Sequence, residues 1–276
     1  MNQEILQMLR EQHEMNLPGG LYHKAQVMLA YNTNRIEGSK LTEEQTRSIF
    51  ETHTILSGNM VLNTDDIIET QNHFRAFDFM LEHAEEDLSI DLIKQFHELL
   101  KRGTSDERKS WFKVGDFKAL PNEVGGRETV APENVEQELR KLLESYHALS
   151  AVKVEDIIDF HAKFESIHPF QDGNGRVGRL IMFKECLKYD IMPFIIDEQH
   201  KAFYYRGLQE YPREKGYLMD TCLSAQDTFT AIYQYFNRPR MSEQLRAAKK
   251  QKHEVQDTHD VQQVQQTQDV AGRDIR

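Results

Sequence analysis

The sequence predicts an all-α protein with one small β-hairpin. Leucine, isoleucine, phenylalanine and methionine recur at three- and four-residue spacings along most of the chain, as on the buried face of an amphipathic helix. Glycine and proline are few, 14 and 7 in 276 residues, so the breaks between helices are local. Residues 111–132 differ, because valine, threonine and glycine accumulate there without a helical period. The length suffices for one large domain or two small ones.

The first five predicted helices have recognisable starts or stops. A Pro-Gly-Gly run ends the first, and Gly38 closes the second. Thr42 and Gln45 form a capping box that opens the third helix, and Asp65 or Thr64 caps the fourth. The five helices cover approximately residues 3–16, 22–37, 42–55, 65–81 and 90–101.

The rest of the chain is a predicted hairpin followed by more helices and a polar tail. We expect extended segments at residues 114–118 and 128–130, joined by a turn at residues 122–127. From Met241 the chain becomes polar, which predicts a tail over residues 241–276 that begins helical and ends disordered. One domain over residues 1–240 then contains the folded part. Its later helices cover approximately residues 133–149, 154–167, 176–188, 198–211 and 216–236.

The segment HPFQDGNGRVGR, residues 168–179, has the composition of a phosphate-handling site. Pro169 lacks an N–H and disfavours a helical predecessor, so His168 ends a helix at a loop entrance. Gly173, Asn174 and Gly175 tolerate positive φ, and such a turn can aim successive N–H groups at an anion. The helix that follows presents its positive N-terminus to the same place.

Three further side chains of this segment suit a nucleotide and its metal. Arg176 and Arg179 are three residues apart, hence on one helical face, and two guanidinium groups match the oxygens of a polyphosphate. Asp172 is a hard oxygen ligand for Mg²⁺ or Mn²⁺, and His168 can take the proton from an attacking hydroxyl. The alternative is that these residues form only a capped loop and a core helix, with His168 in a structural role.

The segment resembles the signature of Fic-domain proteins, His-Pro-Phe-x-Asp/Glu-Gly-Asn-Gly-Arg-x-x-Arg, and every specified position matches. The resemblance extends over about residues 22–236, with a core at about 90–236. It implies a Fic-fold helical bundle whose hairpin is a flap over the active site, docking the target segment by strand addition. It also implies that part of the flap approaches the nucleotide, namely Val124, Gly125, Gly126 and Arg127.

Two other segments resemble Fic-family elements. Tyr204 begins a Tyr-Tyr-x-x-Leu pattern whose first tyrosine lines the nucleoside pocket in the family, although Pro212 replaces an asparagine that helps to hold adenine in some relatives. The segment from Thr33 to Gly38 resembles the inhibitory motif Ser/Thr-x-x-x-Glu-Gly/Asn. By this resemblance, Glu37 pairs with Arg179 and competes with the γ-phosphate of ATP.

The resemblance implies an auto-inhibited protein adenylyltransferase, which transfers AMP from ATP to a Ser, Thr or Tyr hydroxyl of a target protein and of itself. Family analogy adds a homodimer. Three alternatives stay open: transfer of a phosphoryl group or another nucleotide, removal of AMP from modified targets with Glu37 as a catalytic group, and a nucleotide sensor without turnover.

Composition excludes some function classes and suggests a compartment. A net charge of -11 argues against a nucleic-acid-binding protein, which normally presents a basic face. The N-terminus lacks the apolar region of a signal peptide, and no apolar run is long enough for a membrane span, so a cytoplasmic protein without membrane contact is expected. Cys186 and Cys222 lie in apolar helical patterns and are expected to be reduced core thiols.

Overall fold

The computed structural model describes residues 4–55, 58 and 61–238. Ten α-helices and one two-stranded hairpin account for most of these residues, which confirms the predicted all-α fold class. Three short 3₁₀ turns connect them at Ser105–Arg108, Pro132–Asn134 and Glu198–His200. The elements are α1 Glu4–Glu14, α2 Leu21–Ile36, α3 Glu43–Thr52, α4 Thr64–Glu82, α5 Ile90–Lys101, β1 Glu123–Val124, β2 Arg127–Glu128, α6 Val135–His147, α7 Val154–Ile167, α8 Asn174–Lys188, α9 Lys201–Glu210 and α10 Gly216–Phe236.

Helix α8 is the centre of the fold. Its residues are buried from Asn174 through Leu187, because α2, α4, α5 and α7 pack around it. The helix is thus enclosed on all sides, and it buries charged side chains such as Arg176 and Arg179 together with apolar ones. Phe183 shows this well, since its ring centroid lies 5.5 Å from that of Phe77 on α4 and 5.6 Å from that of Phe229 on α10.

Helices α9 and α10 form a second packing unit beside α7. A Cβ added at Gly207 would lie 2.8 Å from the Cα of Leu218, so only glycine allows α9 to approach α10 this closely. Cys186 and Cys222 are buried in the apolar cluster between these helices and α8, and both are free thiols. The prediction that they are reduced core residues is confirmed.

The start of α4 differs from the sequence-based expectation. Asn63 is the N-cap, and its side chain accepts a hydrogen bond from the N–H of Asp65 at 3.1 Å. The predictions of Asp65 or Thr64 as the cap were therefore wrong by one or two residues. The Asp65 carboxylate instead accepts a bond from the backbone N–H of Ser105 at 2.9 Å.

The hairpin is shorter than predicted and occupies the predicted turn, with only Glu128 falling in the extended segment expected at residues 128–130. Glu123 pairs with Glu128 and Val124 with Arg127, around Gly125 and Gly126. Both glycines have positive φ, of 58° and 75°, as a two-residue hairpin turn requires. The expected strand at residues 114–118 is wrong, because Gly115 takes a φ of 74° and interrupts any extended run there.

The predicted tail at residues 241–276 lies outside the described residues. Across the described part of the chain, no helix combines the length and apolar character needed to cross a bilayer.

Candidate active site

The loop between α7 and α8 is closed by its own side chains. Helix α7 ends at His168, which adopts a left-handed conformation with φ 52° and donates its backbone N–H to Phe164. Gly173, with φ 85°, is the N-cap of α8. The side chain of Asn174 bridges the loop, accepting from the N–H of Phe170 at 2.8 Å and donating to its carbonyl at 2.9 Å. Asn174 therefore fixes the loop shape, and the N–H groups at the start of α8 have no acceptor within the helix.

Asp172 lies between two buried cations. Its Oδ2 accepts hydrogen bonds from Lys101 Nζ at 2.7 Å and from Arg176 Nη2 at 2.9 Å. Burial opposes ionisation, but Arg176 and Lys101 hold the pKa of Asp172 well below its usual range. The second guanidinium nitrogen of Arg176 contacts Glu69 on α4 at 2.5 Å, so the side chain is held from both ends. Asp172 is accordingly a carboxylate at any ordinary pH.

A lysine occupies the middle of the acidic cluster that could otherwise bind a metal ion. Glu69, Asp106 and Asp172 place carboxylate oxygens within 4.8 Å of one another. The ammonium of Lys101 contacts all three, at 2.6, 2.7 and 2.7 Å, and is 2% exposed. The three carboxylates thus already have a cation. Asp172 alone remains half exposed, at 49%, so its carboxylate is open to a further oxygen-seeking ligand such as Mg²⁺.

Arg179 is bound mainly by residues of α2. Its Nε donates to the Thr33 hydroxyl at 2.5 Å, and its Nη2 donates to the Thr33 carbonyl at 3.3 Å and to Glu37 at 2.5 Å. The remaining nitrogen, Nη1, contacts the Tyr204 hydroxyl at 3.3 Å. Burial opposes the charge, but Tyr204 and Glu37 raise the pKa of this buried guanidinium above its ordinary value. The sequence-predicted pair of Glu37 and Arg179 is present in the structure.

The Glu37 carboxylate lies against the first turn of α8. A Cβ added at Gly175 would lie 2.2 Å from Glu37 Oε1 and 2.8 Å from Arg179 Nη1. This close approach explains why position 175 needs glycine while Glu37 is in place. The carboxylate therefore occupies space next to the N-terminus of α8, where an anionic ligand of that helix would bind.

A second set of contacts fastens α2 to the segment before α9. Arg35 donates to Glu198 Oε1 from Nε at 2.9 Å and from Nη2 at 2.5 Å, and Tyr31 donates to the other carboxylate oxygen at 2.8 Å. Tyr205 donates to the carbonyl of Ile36, the last residue of α2, at 3.1 Å. We call the group Tyr31, Arg35 and Glu198 the α2 latch.

His168 is a largely buried, uncharged imidazole. Burial lowers its pKa to about 4, and the nearby Lys118 ammonium contributes. Its Nδ1 lies 3.7 Å from Glu165 Oε2, which is beyond ordinary hydrogen-bond distance. At neutral pH the ring is thus unprotonated and able to accept a proton.

Lys118 holds the base of the hairpin against the loop. It is 3% exposed, and its ammonium donates to Asn122 at 2.8 Å, to Thr129 at 2.6 Å and to the carbonyl of Ile167 at 3.4 Å. Its backbone N–H donates to Pro169 at 2.9 Å. Burial lowers the pKa of Lys118 to about 8. The hairpin and the residue before His168 are therefore joined by one lysine.

A cavity of about 270 Å³ separates the hairpin from α7 and α9. Val124, Gly125 and Arg127, which were expected near the nucleotide, line this cavity, whereas Gly126 is not among the described wall residues. Tyr205 lines the cavity in place of Tyr204. Tyr204 is 1% exposed, and its hydroxyl oxygen lies 2.7 Å from Nε2 of His161. The complete wall is Val124, Gly125, Arg127, Glu128, Thr129, Ala162, Glu165, Ser166, Tyr205, Leu208 and Gln209.

The structure brings the signature residues together around one loop, and several residues that the sequence analysis did not single out lie beside them. His168, Asp172, the Gly173–Gly175 turn, Arg176 and Arg179 surround one loop and helix start. The sequence-based interpretation missed Lys101, Lys118, Glu165 and Tyr205. Of these four residues, only Tyr205 could have been found from the local sequence. Adjacent helical residues point in directions about 100° apart, so Tyr204 and Tyr205 cannot both face Arg179.

Comparisons with known proteins agree with this arrangement. Residues 87–186 match the family model described as Fic/DOC family. The chain is 28% identical over 185 residues to "Protein adenylyltransferase fic-1" of Caenorhabditis elegans, with 66% of this chain and 35% of the relative covered. It is 31% identical over 187 residues to "Protein adenylyltransferase Fic" of Drosophila persimilis, with 65% and 35% covered. The chain spans about a third of the length of these curated relatives.

Solved structures share the fold. A Fic domain containing signaling protein from Bacteroides thetaiotaomicron superimposes with a TM-score of 0.65 at 19% identity, covering 87% of this chain and 96% of that one. A fragment of Fic-1 from C. elegans superimposes with a TM-score of 0.63 at 23% identity, covering 85% and 72%.

Proposed function

We propose that this chain, whose residues 87–186 match the Fic/DOC family model, transfers AMP from ATP to a hydroxyl group of a protein. The relatives at 28 and 31% identity carry the name protein adenylyltransferase. The observation that carries the proposal is the convergence of an unprotonated His168, an ionised Asp172 and two buried arginines on the positive end of α8.

The triphosphate would bind at the start of α8. The N–H groups of its first turn and the helix dipole favour an anion there, and Arg176 and Arg179 add two fixed positive charges. Both guanidinium groups are 3% exposed, and Glu69 orients Arg176 while Thr33 orients Arg179, so their directions are fixed before phosphate oxygens arrive.

In the reaction, the target hydroxyl oxygen attacks the α-phosphorus of ATP, and the bond from that phosphorus to the bridging oxygen of the β-phosphate breaks. The hydroxyl proton passes to His168, and pyrophosphate leaves beside the arginines. The neutral imidazole is available because its pKa is lowered to about 4, and the negative charge of bound ATP would make it more basic. The acceptor is a Ser, Thr or Tyr hydroxyl of a target protein or of a second copy of the chain.

A divalent cation fits the site through Asp172. The carboxylate is ionised and half exposed, so it can serve as one protein ligand of a metal ion that phosphate oxygens also bind. Mg²⁺ or Mn²⁺ held there would neutralise charge on the departing pyrophosphate.

The hairpin and the cavity behind it would bind the target and the nucleoside. An extended target segment can add to the short edge of β1 or β2 through backbone hydrogen bonds, which positions it without strong sequence preference. The cavity wall of Val124, Ala162 and Leu208 is apolar and suits the faces of a base.

Glu37 would inhibit this reaction. Its carboxylate is bonded to Arg179 and lies against Gly175, so the γ-phosphate of ATP must compete with it for both charge and space. With Glu37 in place, ATP would bind with its α-phosphate misaligned for attack.

Glu37→Gly tests the function and the inhibition together. We expect this variant, incubated with α-labelled ATP, to label itself or a lysate protein far more strongly than the unmodified chain, and mass spectrometry would show added AMP. Labelling that persists in Glu37→Gly/His168→Ala would remove His168 from its assigned role. ATP binding by Glu37→Gly without any labelled protein would instead support a nucleotide sensor. A different added mass with another nucleoside triphosphate would identify another transferred group.

Removal of AMP is the second candidate, because the Glu37 carboxylate faces the phosphate site and could orient a water molecule there. The test is incubation of an AMP-modified target with the unmodified chain and with Glu37→Gly. Release of AMP by the unmodified chain alone would establish Glu37 as a catalytic group.

A further inference from the structure

We propose that Lys101 is a positioning residue for the divalent cation of this site. Its ammonium keeps a metal ion out of the acidic cluster of Glu69, Asp106 and Asp172, and it leaves Asp172 as the one carboxylate of the three that a metal ion can reach. This role rests on the proposed function, because it presumes that a divalent cation accompanies ATP. Lys101 belongs to α5 and lies outside the His168–Arg179 segment.

The ammonium of Lys101 occupies the middle of the acidic cluster. Glu69 comes from α4, Asp106 from the 3₁₀ turn after α5 and Asp172 from the loop before α8, so it is the fold that brings them together. Lys101 Nζ contacts one oxygen of each at 2.6 to 2.7 Å, and the lysine side chain is 2% exposed. A metal ion bound to all three carboxylates would need the space that the ammonium fills. The cluster is therefore closed to a metal ion while Lys101 is in place.

Helix α5 also holds the backbone of Asp172. His97 is four residues before Lys101 and hence on the same face of α5. Its Nδ1 accepts the N–H of Gly115 at 3.0 Å, so Nε2 carries the proton and donates it to the Asp172 carbonyl at 3.1 Å. The imidazole stacks on the ring of Phe170, with the centroids 4.0 Å apart and the planes within 1° of parallel. One helix thus fixes both the main chain and the side chain of Asp172.

The exposure of the three carboxylates indicates which one a metal ion can reach. The side chain of Asp172 is 49% exposed, against 15% for Glu69 and 17% for Asp106. The hydrogen bonds that Asp172 accepts from Lys101 and Arg176 both end on Oδ2. A metal ion at Asp172 would then have one protein carboxylate and would take its other oxygens from phosphate and water, as Mg²⁺ commonly does. We therefore expect metal binding to depend on the nucleotide.

The first experiment measures Mn²⁺ binding to the full chain without any nucleotide, by electron paramagnetic resonance. Lys101→Met removes the internal cation and leaves three carboxylates close together, so we expect this variant to bind Mn²⁺ at least about tenfold more tightly than the unmodified chain. Loss of a merely structural lysine would weaken binding or leave it unchanged. Lys109→Met is the matched control, because Lys109 is exposed and contacts only Asp106 of the three carboxylates, at 2.5 Å, and it should bind Mn²⁺ as the unmodified chain does. Equal affinity of Lys101→Met and the unmodified chain would overturn the proposal.

Thermal unfolding provides a second measurement. Without Lys101 the three carboxylates repel one another, so Lys101→Met should melt at a lower temperature than the unmodified chain, and Mn²⁺ should restore much of the loss. Lys101→Met/Asp106→Asn removes one of the three negative charges and should fold more stably, with an Mn²⁺ affinity between those of Lys101→Met and the unmodified chain. If Lys101→Met does not fold at any Mn²⁺ concentration, and the double variant folds but binds Mn²⁺ no more tightly than the unmodified chain, the proposal is wrong.

The last experiment adds a non-hydrolysable ATP analogue to the unmodified chain and measures bound Mn²⁺ by equilibrium dialysis. We expect the analogue to increase Mn²⁺ binding, and we expect Asp172→Asn, but not Asp106→Asn, to reduce that increase. A bound ion that is lost in Asp106→Asn would show that the acidic cluster admits a metal ion beside Lys101, which would overturn the proposal. Failure of the unmodified chain to bind the analogue would contradict the proposed function and not the role of Lys101, which the measurements without nucleotide test.

Discussion

Glu165→Gln should stabilise the folded chain in a strongly pH-dependent way. The Glu165 carboxyl is 8% exposed, and its pKa rises from 4.5 to about 8 on folding because burial disfavours the charge. Between these two values the folded chain keeps a proton that the unfolded chain has released. The free energy of unfolding therefore falls as pH rises through this window, and the full contribution is present only below 4.5.

The size of the effect follows from the two pKa values. At pH 7 the difference from 4.5 is 2.5 units, which at about 1.4 kcal/mol per unit corresponds to a penalty of about 3 kcal/mol. Above pH 8 the penalty levels off at about 5 kcal/mol, an upper bound because the surroundings relax when the group ionises. Glutamine has the same shape and no charge, so it has no such penalty.

Urea unfolding of both proteins at pH 5, 6, 7 and 8 measures the difference directly. The free energy of unfolding of Glu165→Gln, minus that of the unmodified chain, should rise by about 1.4 kcal/mol for each pH unit between pH 5 and 7. All other titrating groups are common to both proteins and cancel. A constant difference across this range would show that Glu165 ionises normally in the folded chain, which refutes the electrostatic reasoning.

Three further predictions concern the reaction and its inhibition. Because the pKa of His168 is lowered to about 4, the imidazole is neutral above that pH. The kcat/KM of Glu37→Gly should therefore show no loss due to His168 between pH 8 and pH 6, and it should fall only as the pH approaches about 4. Lys118→Met removes the positive charge near His168 and should move this acid limb to higher pH; an unchanged limb would show that Lys118 does not act on the imidazole. Glu198→Gln weakens the α2 latch by about 1 kcal/mol, so protein labelling by a chain with Glu37 intact should rise about fivefold. Glu37→Gly is the control for activity. If that control labels protein while Glu198→Gln labels no more than the unmodified chain, the latch has no role in inhibition.

The local chemistry of the site could be predicted from the sequence because it is encoded in consecutive residues. The turn at Gly173, the end of α7 at His168 and the shared face of Arg176 and Arg179 depend on neighbours along the chain. The same holds for the helices, whose period is local. The hairpin was placed imperfectly, because positive φ at both Gly125 and Gly126 shortens the turn to two residues, and such a tight turn is not obvious beside other candidate turn residues.

The residues that tune the site could not be predicted, because their roles depend on contacts between distant segments. In the sequence, Lys101 is an ordinary lysine in the last turn of α5. In the structure, its ammonium contacts three carboxylates, one of which is Asp172 in the active-site loop. Glu165 fits the helical pattern of α7 and carries no motif, so its burial beside Arg179 appears only after α7 and α8 pack. Burial of a charged side chain is a property of the assembled core rather than of the local sequence.

The charges around α8 explain how a single carboxylate can regulate the site. Lys101 and Arg176 are each at most 3% exposed, and Glu69, Asp106 and Asp172 contact them within 3 Å. Arg179 is equally buried, and its carboxylate partner is Glu37. Glu37 therefore neutralises Arg179 at the place where a triphosphate would bring its own negative charge. Thr33 holds Arg179 through two hydrogen bonds that do not involve Glu37. Withdrawal of Glu37 would thus remove the competing charge and leave the guanidinium oriented by Thr33, so that inhibition could be relieved without dismantling the phosphate site.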